Sequence, residues 1–345
     1  MLNSNKIRII SALLGVGLAA LLIWGIRDEE QQPKKEYYHN EGKVFGTYYN
    51  IRYEAECDLQ DTITAALQAF DNSLSLFNPN SILTSINENR NTTTDAFFEA
   101  MWREAEEVYT LSGGAFDITV APLVNYWGFG FEEKQSHITN HQSQIDSLLS
   151  LVGFDKVELI DHHVYKSNPR VMIDGGAVAK GQACDMIASV LRDHDVNNYL
   201  VDIGGEVVTH GERAPGEPWR IGITKPNLNN EGAQEQLQEI LPVHNICMAT
   251  SGNYRNYYYA DGERRSHTID PRTGYPVQHS LLSATVVSST CMRADALATA
   301  CMVLGADEAM QMIERAGDAA CYFIVAQNDS LVTLTSPNWA KTLQK

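Results

Sequence analysis

The sequence predicts an α+β (mixed α/β) fold, on three observations. Segments of strand composition and segments of helical periodicity interleave without a regular βαβ spacing. No period of 20–50 residues recurs, so a solenoid or propeller is excluded. The chain has 345 residues and is 44% apolar, enough to bury one large core or two ordinary ones.

The elements follow in order. Lys6 and Arg8 precede an uncharged run from Ile9 to Ile26, and the acidic "DEE" follows Arg27. The run is long enough to span a bilayer, and its leading basic flank predicts that the rest of the chain lies on the trans side. Residues 1–26 are therefore read as an uncleaved membrane anchor, with a cleaved signal segment as the rival. Cys57 is the first cysteine, too far along to carry a lipid. Residues 27–41 read as a polar linker, 42–335 as the folded domain and 336–345 as a tail.

Within the domain, "KVFGTYYNIRYEA" has strand composition. Leu59, Ile63, Leu67, Phe70, Leu74 and Phe77 fall at steps of four and three, one face of a helix. A second helix is predicted from Asp95 to Leu111, closed by Gly113-Gly114, and a third from Gln144 to Val152, stopped by Gly153. The middle is strand-rich: "KVELI", "HVYK", "RVMID", "NYLVDI", "EVVTH" and "WRIGIT", with a hairpin about Asp261-Gly262. Helices return over Ala294–Leu304 and Asp307–Ala316, and two short strands flank "QNDS". "MIDGG" and "VDIGG" resemble each other as strand ends opening on glycine pairs.

Charge and cysteine narrow the chemistry. A net charge of −17 excludes nucleic acid as a partner, because duplex binding needs a basic face. It also means that a pyrophosphate would need a bound metal or well-placed basic residues. The six cysteines form no Cys-x-x-Cys pair, which leaves zinc and thioredoxin-like chemistry without support. Buried thiols are the expected state, and disulfides stay open. There is no Gly-x-Ser-x-Gly elbow and no cysteine nucleophile beside a histidine, so covalent acyl chemistry is unsupported. His137 and His141 have helical metal spacing but lack a third ligand.

Four stretches could carry chemistry, and each also has an ordinary structural reading. In "VMIDGGAVAKGQACDMIASVL" a strand, an acid, a glycine pair and an early lysine suggest a phosphate site. Neither the P-loop nor the dinucleotide spacing is met. Asp174 accepts a hydrogen bond from a ligand or caps a helix; Lys180 neutralises a phosphate or reaches solvent. In "RADALATACMVLG", Asp295 and Thr299 share a helix face. They are hard oxygen donors suited to Mg²⁺ or Ca²⁺, or a dipole-complementing acid beside a packed threonine. "SGGAFDITVAPLVNYWGFG" places Asp117 near Tyr126, Trp127 and Phe129, a flat-ligand slot or plain core. In "RRSHTIDPRTGYPV", His267 is a proton acceptor near neutral pH or a satisfied polar residue.

These stretches, together with "FGTYYNI", "FDNSLSLFNPNSILTSIN", "VDIGGE", "ATSGNYRNYY" and "SHTIDPRTGYPV" in this order, resemble the FAD:protein FMN transferase (ApbE) family over about residues 42–335. The resemblance implies two intertwined subdomains with the flavin site between them. It implies a Mg²⁺-dependent flavin transferase domain that binds FAD, moves FMN onto a Thr or Ser hydroxyl of an acceptor redox protein, and releases AMP. A periplasmic domain tethered to the bacterial inner membrane fits such acceptors. Carried over residue by residue, it implies metal contacts from the Ala177 carbonyl, Asp295 and Thr299. It places FAD against Phe45, Phe77, Ala115, Phe116, Asp117, Asp174, Lys180 and Ile269. Beside that carry-over, His267, or Asp270 close by, is expected to take the acceptor's proton. An FAD pyrophosphatase and a non-catalytic FAD carrier are the alternatives.

Overall fold

The computed structural model describes residues 35–130, 142–226, 236–254, 257–260, 263–328 and 330–344. The apolar run 9–26, the His137–His141 pair and the Asp261-Gly262 turn lie outside the described residues. Among the described residues no helix is long and apolar enough to cross a membrane.

The chain runs β1 (Glu36–Val44), β2 (Thr47–Ala55), α1 (Gln60–Leu74), α2 (Ile82–Asn87), α3 (Ala96–Ser112), α4 (Ala121–Tyr126) and α5 (Gln142–Leu149). It continues through β3 (Val157–Ile160), β4 (His163–Lys166), α6 (Ala179–Asp193), β5 (Tyr199–Ile203), β6 (Glu206–His210), β7 (Trp219–Thr224), β8 (Leu237–Val243) and β9 (Ile246–Gly252). It ends with β10 (Tyr257–Ala260), β11 (Glu263–Ser266), β12 (Leu281–Ser288), α7 (Cys291–Leu304), α8 (Ala306–Ala316), β13 (Ala320–Gln327), β14 (Ser330–Thr335) and α9 (Trp339–Thr342). Eight strands form one sheet in the order β1-β2-β5-β6-β9-β12-β13-β14, every neighbouring pair antiparallel.

The period-2 alternation of strands decides which face each side chain meets. In β2, Tyr49, Ile51 and Tyr53 are buried in the main core beneath α1, α3, α6 and α7, while Tyr48 and Arg52 are exposed on the opposite face. The β7–β8 hairpin covers part of that opposite face, and Trp219, Ile221 and Val243 pack there against Met248, Val287 and Trp339. β12 lies under both layers and is buried at every position. A smaller cluster joins Leu123, Trp127, Ile145 and Ile269.

Helix ends follow their local chemistry. Asp95 caps α3 by accepting from Phe98 N, and Gly113 closes it at φ 62°. α1 stops at Leu74 rather than running on to Phe77: Ser75 is extended, and Asn78 precedes Pro79, a position that disfavours helix. Phe77 is consequently 71% exposed. α5 ends at Leu149, short of the predicted Val152. β1 begins at Glu36, inside the stretch expected as linker.

"RVMID" is extended but joins no ladder among the described residues. Its partner is a side chain: Asn87 Nδ2 donates to Ile173 O (2.8 Å), and Asn87 Oδ1 accepts from Ile173 N (2.8 Å). Asp174 N completes the anchoring by donating to Ile118 O.

Candidate active site

The site forms where the N-terminal turns of α6 and α7 meet. A Cβ on Gly181 would lie 2.3 Å from Cys291 O, so the two backbones touch and only glycine fits. Asp185 holds the joint by accepting from Cys291 N (2.9 Å) and Met292 N (2.8 Å). The Gly181 N–H, which in a regular helix would reach the Ala177 carbonyl, donates instead to Asp295 Oδ2 at 3.0 Å.

This joint sets Lys180 between two buried acids. Its Nζ lies 3.1 Å from Glu206 Oε1 and 3.6 Å from Asp295 Oδ1; the two acids are 3% and 2% exposed. Burial opposes the lysine charge, but Asp295 and Glu206 outweigh it and hold the ammonium above its ordinary pKa. Burial raises the Glu206 carboxyl against the pull of Lys180, and Glu206 Oε2 is buried without a hydrogen-bond partner among the described residues.

A cavity of about 410 Å³ opens onto this triad, within the size range of ligand pockets. One wall carries Ala115, Phe116 and Asp117 from the segment between α3 and α4; a second carries Asp174, Ala177 and Lys180; a third carries Asp295 and Thr299 from α7; a fourth carries His267 and Ile269. Burial raises the carboxyls of both Asp117 and Asp174, each partly offset by hydrogen bonds from Thr119 and Gly176 respectively. Thr299 Oγ1 lies 3.3 Å from Ser251 Oγ.

Of the residues assigned to FAD contact or proton transfer, three do not line the cavity. Phe45 sits in the β1–β2 turn at φ 51°, its ring 5.4 Å from that of Phe70. Phe77 packs over the same turn, 3.6 Å from where a Gly46 Cβ would be. Asp270 is engaged locally: its carboxylate accepts from Arg272 Nε (2.9 Å), Nη2 (2.8 Å) and backbone N (2.9 Å). Tyr126, Trp127 and Phe129 are core rather than lining. Trp127 Nε1 donates to Gly274 O, and Phe129 stacks on Tyr258 and meets His267 edge-on, which fixes the loop carrying His267.

No group of three or more His, Cys, Asp or Glu side chains among the described residues converges as a metal centre. Asp295, Thr299 and Ala177 line the cavity together with three further acids and one lysine. Their carboxylate, hydroxyl and backbone carbonyl are oxygen donors of the kind that would suit Mg²⁺, which binds through one or two carboxylates and keeps water and substrate phosphate in the rest of its shell.

The ApbE family model matches residues 45–323. The chain belongs to the ApbE family. Among curated proteins, the FAD:protein FMN transferase of Escherichia coli (strain K12) is 35% identical, with 94% of this chain and 96% of that protein aligned. The protein of the same name from Haemophilus influenzae is 34% identical over 97% and 98%. Among solved structures, "Flavin Transferase ApbE from Vibrio cholerae" superposes with a TM-score of 0.80 at 32% identity, covering 90% of this chain and 100% of that one. The apo flavinyl transferase ApbE of Pseudomonas stutzeri gives 0.78 at 28% identity. The mixed α/β architecture about one large antiparallel sheet is thus the ApbE fold.

Sequence reading missed Glu206, Ser251 and Thr250. The available signal for Glu206 was an acid opening a strand directly after Gly204-Gly205 and before Val207-Val208. For Ser251 and Thr250 there was none, since hydroxyls are ordinary in strands.

Proposed function

We propose that this protein transfers the FMN half of FAD to a threonine or serine hydroxyl of an acceptor redox protein and releases AMP. Family membership supports the reaction class. The observation that carries it for this chain is the convergence of Asp295, Thr299, Lys180 and His267 on one cavity.

In the proposed reaction the acceptor hydroxyl oxygen attacks the FAD phosphorus nearer the riboflavin. The bond from that phosphorus to the bridging oxygen breaks, and AMP leaves with the electron pair. Such transfers depend on alignment and charge stabilisation more than on covalent chemistry by the protein. Mg²⁺ held by Asp295, Thr299 and the Ala177 carbonyl would neutralise the pyrophosphate and act as a Lewis acid. His267 takes the hydroxyl proton. Asp270 is the weaker candidate because Arg272 occupies its carboxylate, and its backbone and side chain hold the turn through Gly274. Ala115, Phe116, Asp117, Asp174 and Ile269 shape the FAD pocket, with Phe45 and Phe77 at its margin. We place the domain on the periplasmic side of the inner membrane, on the strength of the run 9–26 and its flanking charges.

The test is the full chain with FAD, Mg²⁺ and a threonine-bearing acceptor domain, following AMP and the acceptor's mass together. AMP with a covalent FMN adduct supports the reading. AMP with free FMN assigns hydrolysis instead, and bound FAD without AMP refutes both.

A further inference from the structure

The sheet has a second opening, on the face away from the helices. It is a groove of about 900 Å³ between β7 and the exposed positions of β2, β5 and β9. The alternation that buries Tyr49, Ile51 and Tyr53 on the helix side turns Tyr48, Asn50 and Arg52 into this groove. In β5 the same alternation buries Tyr199, Val201 and Ile203 and turns Leu200 and Asp202 outward. Gly204, Thr250 and Gly252 line both the groove and the FAD cavity. The Gly204-Gly205 turn and the end of β9 thus form a shared rim of the two spaces.

The charges of the two spaces are opposite. The cavity is lined by Asp117, Asp174, Glu206 and Asp295 against Lys180. The groove is lined by Arg52, Arg213 and Arg220 against Asp202 alone. Arg213 pairs with Glu217; Arg52 and Arg220 have no ion-pair partner among the described residues and are exposed. Two unpaired arginines on one concave face run against the field of a −17 chain, and such a patch selects an acidic partner.

From this continuity and this charge contrast we infer that the groove docks an acidic segment of the acceptor protein, next to its hydroxyl residue, and delivers that residue into the cavity. The inference rests on the transferase reading and adds how the acceptor is chosen. Carboxylates of the segment meet Arg52 and Arg220, and Tyr48 and Trp219 supply apolar floor. The neighbouring hydroxyl passes the glycine turn to reach the triad.

The test uses the full chain and two labelled synthetic peptides, one threonine flanked by aspartates and the same peptide with asparagines. Binding is read by fluorescence anisotropy, and FMN transfer by mass. Wild-type protein is expected to bind the aspartate peptide about tenfold more tightly than the asparagine peptide, with the preference fading as salt rises. Arg52→Glu with Arg220→Glu is expected to abolish the preference while acceptor-independent AMP release and the melting temperature stay at wild-type values. Retained preference in that variant, or none in the wild type, overturns the inference. Selective binding without any FMN adduct keeps the groove and sinks the transferase reading; equal adducts with both peptides and both proteins do the reverse.

Discussion

Gly181→Ala tests whether the joint between α6 and α7 is as close as the site requires. By helix propensity alone the change stabilises, by up to about 1 kcal/mol. The structure predicts the opposite sign. The new Cβ would lie 2.3 Å from Cys291 O and 2.8 Å from Met292 N, so the helices must part by about 1 Å to restore ordinary contact. Overpacking of this kind costs about 1–3 kcal/mol. The separation also stretches the bond from Gly181 N to Asp295 and the two bonds to Asp185, and a hydrogen bond to a charged group contributes about 1.5–3 kcal/mol. Set against the propensity gain, a net loss of about 2–4 kcal/mol is expected in urea unfolding, seen as a lower midpoint at unchanged slope. The same separation moves Asp295 and Thr299 relative to Ala177, so AMP release should need more Mg²⁺. A variant as stable as wild type with the same Mg²⁺ requirement would refute the backbone contact and the account of the site built on it.

Asp295→Asn should raise the Mg²⁺ concentration needed for AMP release by roughly 10–100-fold or more, the loss of affinity seen even for residues one step removed from a metal; Mg²⁺ titration of turnover reads it. Asp185 is pushed up by burial to about 6, above its unfolded value. Its stabilising contribution is therefore fully present below the unfolded pKa and lost as pH rises through about 6, a change of about 3 kcal/mol. Unfolding of Asp185→Asn should show a flatter pH slope between about 4 and 6 than wild type. All six cysteines are free and only Cys57 is exposed; burial raises the thiols of Cys184, Cys247, Cys291, Cys301 and Cys321. An aromatic disulfide reagent should titrate one thiol quickly in the native protein and six in denaturant.

Elements with a strong period or a cap were legible. The Asp95 cap and Gly113 stop bracket α3 as their chemistry requires, and the strands about "QNDS" pair as β13 and β14. What failed to show was pairing by side chain. "RVMID" has strand composition because it is extended and half-buried, yet Asn87, distant in sequence, stands where a neighbouring strand would be. The helix face through Phe77 was over-read for a related reason: periodicity cannot see that Asn78-Pro79 ends the helix first. At the site, Asp295 and Thr299 were visible by spacing, and Asp174 and Lys180 by their glycines. Glu206 was not, because its role depends on β6 lying beside the start of α6.

Lys180 shows why local reading could not finish the site. The sequence offered two roles for it, a phosphate counter-charge or a solvent-reaching surface lysine. Its ammonium does neither alone, because Glu206 and Asp295 flank it at 3.1 and 3.6 Å. Two carboxylates buried side by side repel each other, and burial already raises the Glu206 carboxyl. The lysine between them opposes that rise. Asp295 Oδ2 is meanwhile fixed by the Gly181 N–H, which leaves Oδ1 as the oxygen turned toward lysine and cavity. Lys180→Met would remove the counter-charge while keeping most of the stem. It should push the Glu206 carboxyl further up, since burial then acts without the opposing lysine, and so steepen the loss of folding stability as pH rises. An unchanged pH dependence of unfolding beside a raised KM for FAD would mean that Lys180 acts on the phosphate and not on the acids.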